Sequence, residues 1–394
     1  MDQASGPESA GEGPPLGKYA NNSAVPGQDV KRAESLRLRE ALWEWSSIER
    51  VRKCGQVPCT HSMPVREVAG GFRLGGLCRC QSIWVCPVCA PERRGLRREE
   101  IRLAVELHIA GGGGVNFGTA TVPHGIGDRL KGSYSVVAKA WNAVSSDYSV
   151  KAFRKAHGWW GFCRTCEVTY GQNGWHPHLH WLDFWDGALT VAESAEYRKV
   201  VYRAWSRSVV RQGFREPTER RGVVVVPVRD TDISDYLTKM SPGSAAHELT
   251  SLSTKQARNF GLTPFDILGL LRDRREAPWV GLWREYEQGT HGRRMFGASP
   301  HLFDRIGLSD EDPEVVEVGR VVARISSDDW GRLRFFFGGV KGAQILIERA
   351  AVNGQIGVNE CMRVLMGGAP LVELSDELGP EQLVLGPGDD GGMF

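Results

Sequence analysis

The chain has 394 residues, with 49 Lys and Arg against 47 Asp and Glu, for a net charge of +2. That length exceeds one typical domain and leaves room for two or three folding units, each with a proper core. No run of about 18 apolar residues occurs, and the first 30 residues lack a signal peptide's basic start and apolar centre, so a cytoplasmic protein with no membrane partner is expected.

The small net charge hides a partition: residues 1–30 carry −3, residues 31–300 carry +13, and residues 301–394 carry −8. A basic body between acidic ends suits phosphate binding, because Lys and Arg displace counterions from a nucleic-acid backbone; a merely well-solvated surface is the alternative. Nine cysteines in a cytosolic chain are not expected to form a disulfide framework and point instead to metal.

Residues 1–30 are rich in Gly, Pro, Ser and Ala and are expected to be disordered. The apolar spacing of Leu36, Leu38, Leu42, Trp43, Trp45 and Ile48 predicts a helix over 32–53. A Cys-rich segment, 54–89, is followed by a basic helix over 93–109 that the glycines at 111–114 end. A strand at 115–122, a helix around 134–144 and a strand pair about a turn at 171–174 come next. Then follow a helix at 191–211, a strand at 223–228 and a short helix at 232–240. This order predicts an α+β fold, a central antiparallel sheet with helices on one side. The expected division is 1–30 disordered, 31–110 a helix plus zinc-binding segment, 111–300 the central domain, and 301–394 an extension of unassigned architecture with a disordered end.

In the stretch Cys166-Glu-Val-Thr-Tyr-Gly-Gln-Asn-Gly-Trp-His-Pro-His-Leu-His180, strand alternation sends His176, His178 and His180 to one face. With the turn at 171–174, Glu167 lies opposite His178. Imidazoles and a carboxylate together suit Mg²⁺ or Mn²⁺ over a phosphate, although histidine nitrogen also accepts zinc. Two rivals use the same residues: a cupin-type site, which also begins His-x-His but wants a Glu a few residues beyond where this chain has Asp183 and Asp186, and a plain histidine ladder. Over 232–240, Asp232, Tyr236 and Lys239 share one helical face. A phenol can attack a phosphodiester whose charge a cation withdraws, and a carboxylate one turn away can later activate water.

Cys86-Pro-Val-Cys89 has the two-residue gap with which two thiolates grip one tetrahedral ion. Cys54, Cys59, Cys78, Cys80 and His61 compete for the remaining places, and the expected structural Zn²⁺ set is Cys54, Cys80, Cys86 and Cys89. Cys163 and Cys166 are read as packing residues and Cys361 as a buried thiol. Arginine clusters at 93–98, 215–221, 272–275 and 293–294 are expected to contact phosphates. Trp159, Trp160, Trp175 and Trp181 either stack on unpaired bases or belong to the core.

Between Gly76 and Met295 the chain resembles the replication initiators of actinobacterial rolling-circle plasmids, in the HUH endonuclease superfamily. The resemblance rests on residues 76–90, on Phe117-Gly-Thr-Ala-Thr-Val122, on Gly174-Trp-His-Pro-His-Leu-His180, on Asp235-Tyr-Leu-Thr-Lys239, and on residues 282–294. It implies an HUH nicking domain in which His178 and His180 hold the metal, with Glu167 as third ligand and His176 as its competitor. Tyr236 would form a 5′-phosphotyrosyl link and free a 3′-hydroxyl. Asp232 would activate water at termination, one methylene shorter than the Glu common in relatives, and Lys239 would steady the phosphate or phenolate. The implied partners are the plasmid's double-strand origin, single-stranded at the nick, and the host helicase and polymerase. A relaxase or transposase of the same chemistry, or a non-catalytic zinc-dependent DNA-binding regulator, are the alternatives.

Overall fold

The computed structural model describes residues 28–68, 71–228, 261–300, 302–306, 317–336, 342–368 and 371. The predicted helix over 32–53 is two: α1, Gln28–Trp45, and α2, Glu49–Arg52. The three residues from Gln28 are therefore helical, whereas the rest of the stretch expected to be disordered lies outside the described residues, as do residues 387–394.

The Cys-rich segment holds a hairpin, β1 (Ser62–Val68) and β2 (Gly71–Leu74), before α3 (Cys89–Ala110). Then come β3 (Gly114–Thr121), α4 (Leu130–Ser146), α5 (Tyr148–Ala156), β4 (Trp159–Gly171) and β5 (Gly174–Trp185). Helix α6 (Val191–Arg211), with the bounds the sequence predicts, starts at a capping box: Thr190 accepts from the Glu193 N–H and the Glu193 carboxylate accepts from the Thr190 N–H. After α7 (Glu219–Gly222) and β6 (Val223–Pro227), the chain is described again from Gly261, and a second capping box, Thr263 with Asp266, starts α8 (Pro264–Arg274). The remaining elements are α9 (Ala277–Thr290), β7 (Phe296–Ala298), α10 (Leu302–Ile306), β8 (Arg320–Ser326), α11 (Ser327–Phe336), α12 (Ala343–Ala350) and α13 (Gly354–Leu365).

The fold is α+β. A five-stranded antiparallel sheet runs β6-β3-β5-β4-β7. Strand alternation divides β5 between two faces. Leu179, Trp181 and Trp185 pack into the main core with Val137, Trp141, Val201 and Trp205 of α4 and α6. On that face the indole of Trp181 lies flat on Gly118 of β3, where a Cβ would come within 2.1 Å of the ring. The opposite face carries the three histidines at one end and Leu182 and Phe184 at the other. Among the described residues, Ile101 and Val105 of α3 and Leu302 of α10 cover the second end. Helices thus lie mainly on one side, and the histidine end of the other face stays uncovered by these apolar contacts.

The C-terminal extension does not pack by itself. Strand β8 joins β1 in a second sheet ordered β2-β1-β8. Met63, Val65, Leu74 and Leu77 share one core with Ile325, Trp330, Ile347, Val358 and Met362. Among the described residues no helix is long and apolar enough to cross a membrane.

Candidate active site and metal centres

The hairpin β4–β5 closes on the pair Gly171 and Gly174, and its register sets Glu167 against His178 and Thr165 against His180. Glu167 Oε2 lies 2.7 Å from His178 Nε2 and 3.3 Å from His180 Nε2. The other ring nitrogens are held by the protein: His178 Nδ1 donates to the His176 carbonyl at 3.3 Å, and His180 Nδ1 bonds Thr119 Oγ1 at 3.0 Å. Tying Nδ1 in this way leaves each Nε2 facing Glu167, where it could bind a metal.

Burial pushes the Glu167 carboxyl up, but hydrogen bonds from His178 and His180 outweigh it and hold the group well below the usual carboxylate range. Burial lowers His180, favouring the neutral imidazole that a metal requires. His178 faces an acceptor on each side, the carbonyl of His176 and the carboxylate of Glu167; a cation at Nε2 satisfies both the nitrogen and the carboxylate. Adjacent ligands of an octahedral ion with bonds of about 2.1 Å stand about 3 Å apart, and Glu167 Oε2 keeps about that distance from both imidazole nitrogens, with all three donors within 4.8 Å of one another. Glu167, His178 and His180 therefore fit a divalent ion.

His176 stands outside this group. Its ring neighbours His178 at 5.0 Å, but its Nδ1 meets His124 Nδ1 at 3.2 Å, and burial, with His178 and His124, lowers it to about 4. His124 and Thr119 escaped the sequence reading. Alternation along β3 could have found Thr119, which pairs with His180 just as Thr121 pairs with His178. Asp183 points to the other face, where it is fully buried and accepts from Trp159 at 2.8 Å, Trp181 at 2.6 Å and Arg154 at 3.4 Å. It cannot complete a cupin-like site with the histidines. Asp232, Tyr236 and Lys239 lie outside the described residues.

The second centre is the buried tetrad Cys54, Cys80, Cys86 and Cys89. Cys54 Sγ lies 3.7 Å from both Cys86 Sγ and Cys89 Sγ. Sulfurs on a tetrahedron with Zn–S bonds of about 2.3 Å stand about 3.8 Å apart, so the cluster could hold zinc. Hydrogen bonds from the neighbouring thiols, Cys80 foremost, hold Cys54 below the ordinary thiol range, and Cys54 foremost does the same for Cys89. Cys80 is raised by Cys54, and Cys86 by burial. Two of the nine cysteines depart from the metal expectation: Cys59 and Cys78 form a disulfide. Backbone bonds Cys59 N–H to Gly76 O and Cys78 N–H to Val57 O run the two segments side by side and bring these thiols together. Cys163 and Cys166, three apart in a strand, fall on opposite faces; burial raises them to about 12 and about 11, and they pack as expected.

Several arginines expected at phosphates are engaged internally. Arg93 donates to Gln81 O, and Arg94 grips Ile83 O through Nε (3.0 Å) and Nη2 (2.8 Å), tying α3 to the cysteine loop. Arg272 pairs with Glu34 and Asp273, and Arg275 with Glu44. Arg215, Arg220 and Arg221 are exposed, and no partner is found for their guanidinium groups among the described residues. Arg221 sits beside the histidine end, its carbonyl accepting from Thr121 Oγ1 at 3.0 Å. Trp175 and Trp181 are 2% exposed and belong to the core, which excludes them as stacking platforms.

No family model matches the chain, and no solved structure matches it. A curated relative, Protein rep of Streptomyces lividans, is 30% identical over 338 residues, covering 70% of this chain and 74% of that protein. The chain belongs to the Rep proteins of actinobacterial plasmids. A neomycin resistance protein of Streptomyces cyanogenus is 31% identical over 140 residues, 29% of this chain and 32% of that protein, so this second likeness is local. In this chain an antiparallel sheet groups Glu167, His178 and His180 on one face, and α3 runs from the cysteine tetrad to that sheet.

Proposed function

We propose that this Rep protein initiates plasmid replication by cutting one strand of DNA at the origin and rejoining it through a covalent tyrosine intermediate. The observation that carries the reading is the convergence of Glu167 Oε2, His178 Nε2 and His180 Nε2 on one partly buried sheet face, with exposed Arg220 and Arg221 beside it. A Mg²⁺ or Mn²⁺ ion bound by these three would draw charge from the scissile phosphate and help to position it. The chain's own residues do the rest. The Tyr236 oxygen attacks phosphorus, the phosphotyrosyl bond forms on the 5′ side as the P–O3′ bond breaks, and the 3′-hydroxyl leaves as primer. The proton that Tyr236 gives up in the attack is returned, through solvent, to the departing O3′, which therefore leaves as a hydroxyl. Lys239, one turn on, steadies the developing phenolate, and Asp232 takes a proton from the water or hydroxyl that later resolves the link.

The four-cysteine cluster, taken alone, favours a non-catalytic zinc-dependent DNA-binding regulator as the second reading.

The test is incubation of the purified chain with a single-stranded origin oligonucleotide and Mn²⁺, followed by a denaturing gel. A covalent adduct that disappears in Tyr236→Phe is expected. No adduct with any divalent metal, while origin binding is intact, would transfer the assignment to the regulator.

A further inference from the structure

Where α1, the cysteine loop, the β1–β2 hairpin and the C-terminal extension meet, they line a half-open cavity of about 170 Å³. Five arginines, Arg32, Arg39, Arg66, Arg73 and Arg79, contribute to its wall against two carboxylates, Glu92 and Glu317. Arg32 is neutralised by Glu348 at 2.6 Å, Arg79 pairs with Glu92, and Arg66 lies 4.0 Å from Glu317.

Arg39 is different. It is 4% exposed, its one hydrogen bond runs to the neutral Oε1 of Gln344 at 2.8 Å, and it lies 5.5 Å from the Trp43 ring. Its Nε has no acceptor, and among the described residues no carboxylate pairs with it. Gly55, in the left-handed region at φ +68°, lets the guanidinium lie against the main chain, where a Cβ would come within 2.1 Å of Nη1. A guanidinium stays charged in any protein environment, and burying it without a counter-charge is strongly unfavourable. A planar fork also matches two oxygens of one oxyanion.

We propose that this cavity is a binding site for a phosphate group, free or at the end of a small molecule, with Arg39 as its principal anchor. The volume is several times the roughly 30 Å³ share of one water, enough for a phosphate or diphosphate and too small for a duplex. Occupancy would tie α1, the cysteine loop and the C-terminal extension together at a point remote in sequence from the histidines.

The experiment is thermal unfolding and calorimetric titration of the full chain, purified without chelator. Inorganic phosphate, diphosphate and ADP are compared at ionic strength matched with sodium chloride. Saturable binding is expected, with Tm rising about 2 °C at ten times Kd. The tightest of the three ligands identifies the source of the phosphate. Arg39→Gln is expected to abolish the shift, and Arg39→Lys, which keeps the charge but loses the fork, to weaken binding about tenfold. If Arg39→Gln does not fold, the wild-type titration and Arg39→Lys decide the matter alone. No saturable response in the wild type, or undiminished binding in a folded Arg39 variant, overturns the assignment.

Discussion

Glu167 and His178 face each other across the β4–β5 pair and meet at 2.7 Å, with His180 a further contact of the same carboxylate oxygen. The carboxylate is held ionised by the imidazoles, and the imidazoles are aimed by Thr119 and a main-chain carbonyl.

Removing the carboxylate should separate metal binding from folding. Glu167→Gln keeps the shape, so the melting temperature should change little, while Mn²⁺ affinity measured by calorimetry falls by about 100-fold or more. Thr119→Val, which deletes only the bond orienting His180, should cost about 10–100-fold, as outer-shell partners of metal ligands do. Wild-type affinity in Glu167→Gln would remove that residue from the ligand set.

The cysteine tetrad should govern whether the N-terminal third folds. One zinc per chain is expected by elemental analysis. Structural zinc contributes an apparent ~10–16 kcal/mol to folding in small domains, so Cys86→Ser or a strong chelator should unfold the segment 54–89 and detach α3. Loss of protease resistance there, with the β4–β5 hairpin still protected in hydrogen exchange, is the expected pattern; unchanged resistance in zinc-free protein would refute it.

Arg220 and Arg221 should act through phosphates. Replacing either by Ala is expected to weaken single-strand binding about equally for all sequences and to lower the salt dependence by about one unit of slope. Fluorescence anisotropy at several salt concentrations measures both. A sequence-dependent loss would mean base contacts instead.

Acid should loosen the C-terminal extension through Glu348. Burial pushes this carboxyl up, but Arg32 and its hydrogen bonds outweigh burial and hold it below the ordinary value of 4.5. A group depressed in the folded state stabilises above its unfolded pKa and loses that contribution as pH falls through the folded one. Urea midpoints should therefore drop below about pH 4.5 in the wild type, and less steeply in Glu348→Gln, which lacks the titrating group. Parallel pH profiles of the two proteins would remove Glu348 as the cause.

The histidine face was legible because a strand's period of two and a glycine-bounded turn fix register to the residue, and Glu167 fell opposite His178 as predicted. The cysteine tetrad was legible because a structural zinc takes four ligands and the Cys86–Cys89 gap anchors two of them. Two features were not legible. The strands β1 and β2 are short and hidden among cysteines, and their partner β8 lies far along the chain, so no local pattern announces the second sheet. The arginines of α3 read as a phosphate patch because linear charge does not say what a side chain meets, and Arg93 and Arg94 meet carbonyls of their own chain.

Arg32 and Glu348 are 316 residues apart in sequence yet paired at 2.6 Å. At about 5–20 residues per second of synthesis, the first helix waits roughly 15–60 s on the ribosome before its partner exists. The amino-terminal part of this protein is thus made first and finished last, and a nascent chain interrupted before β8 leaves Met63 and Val65 uncovered for chaperones or proteases to find.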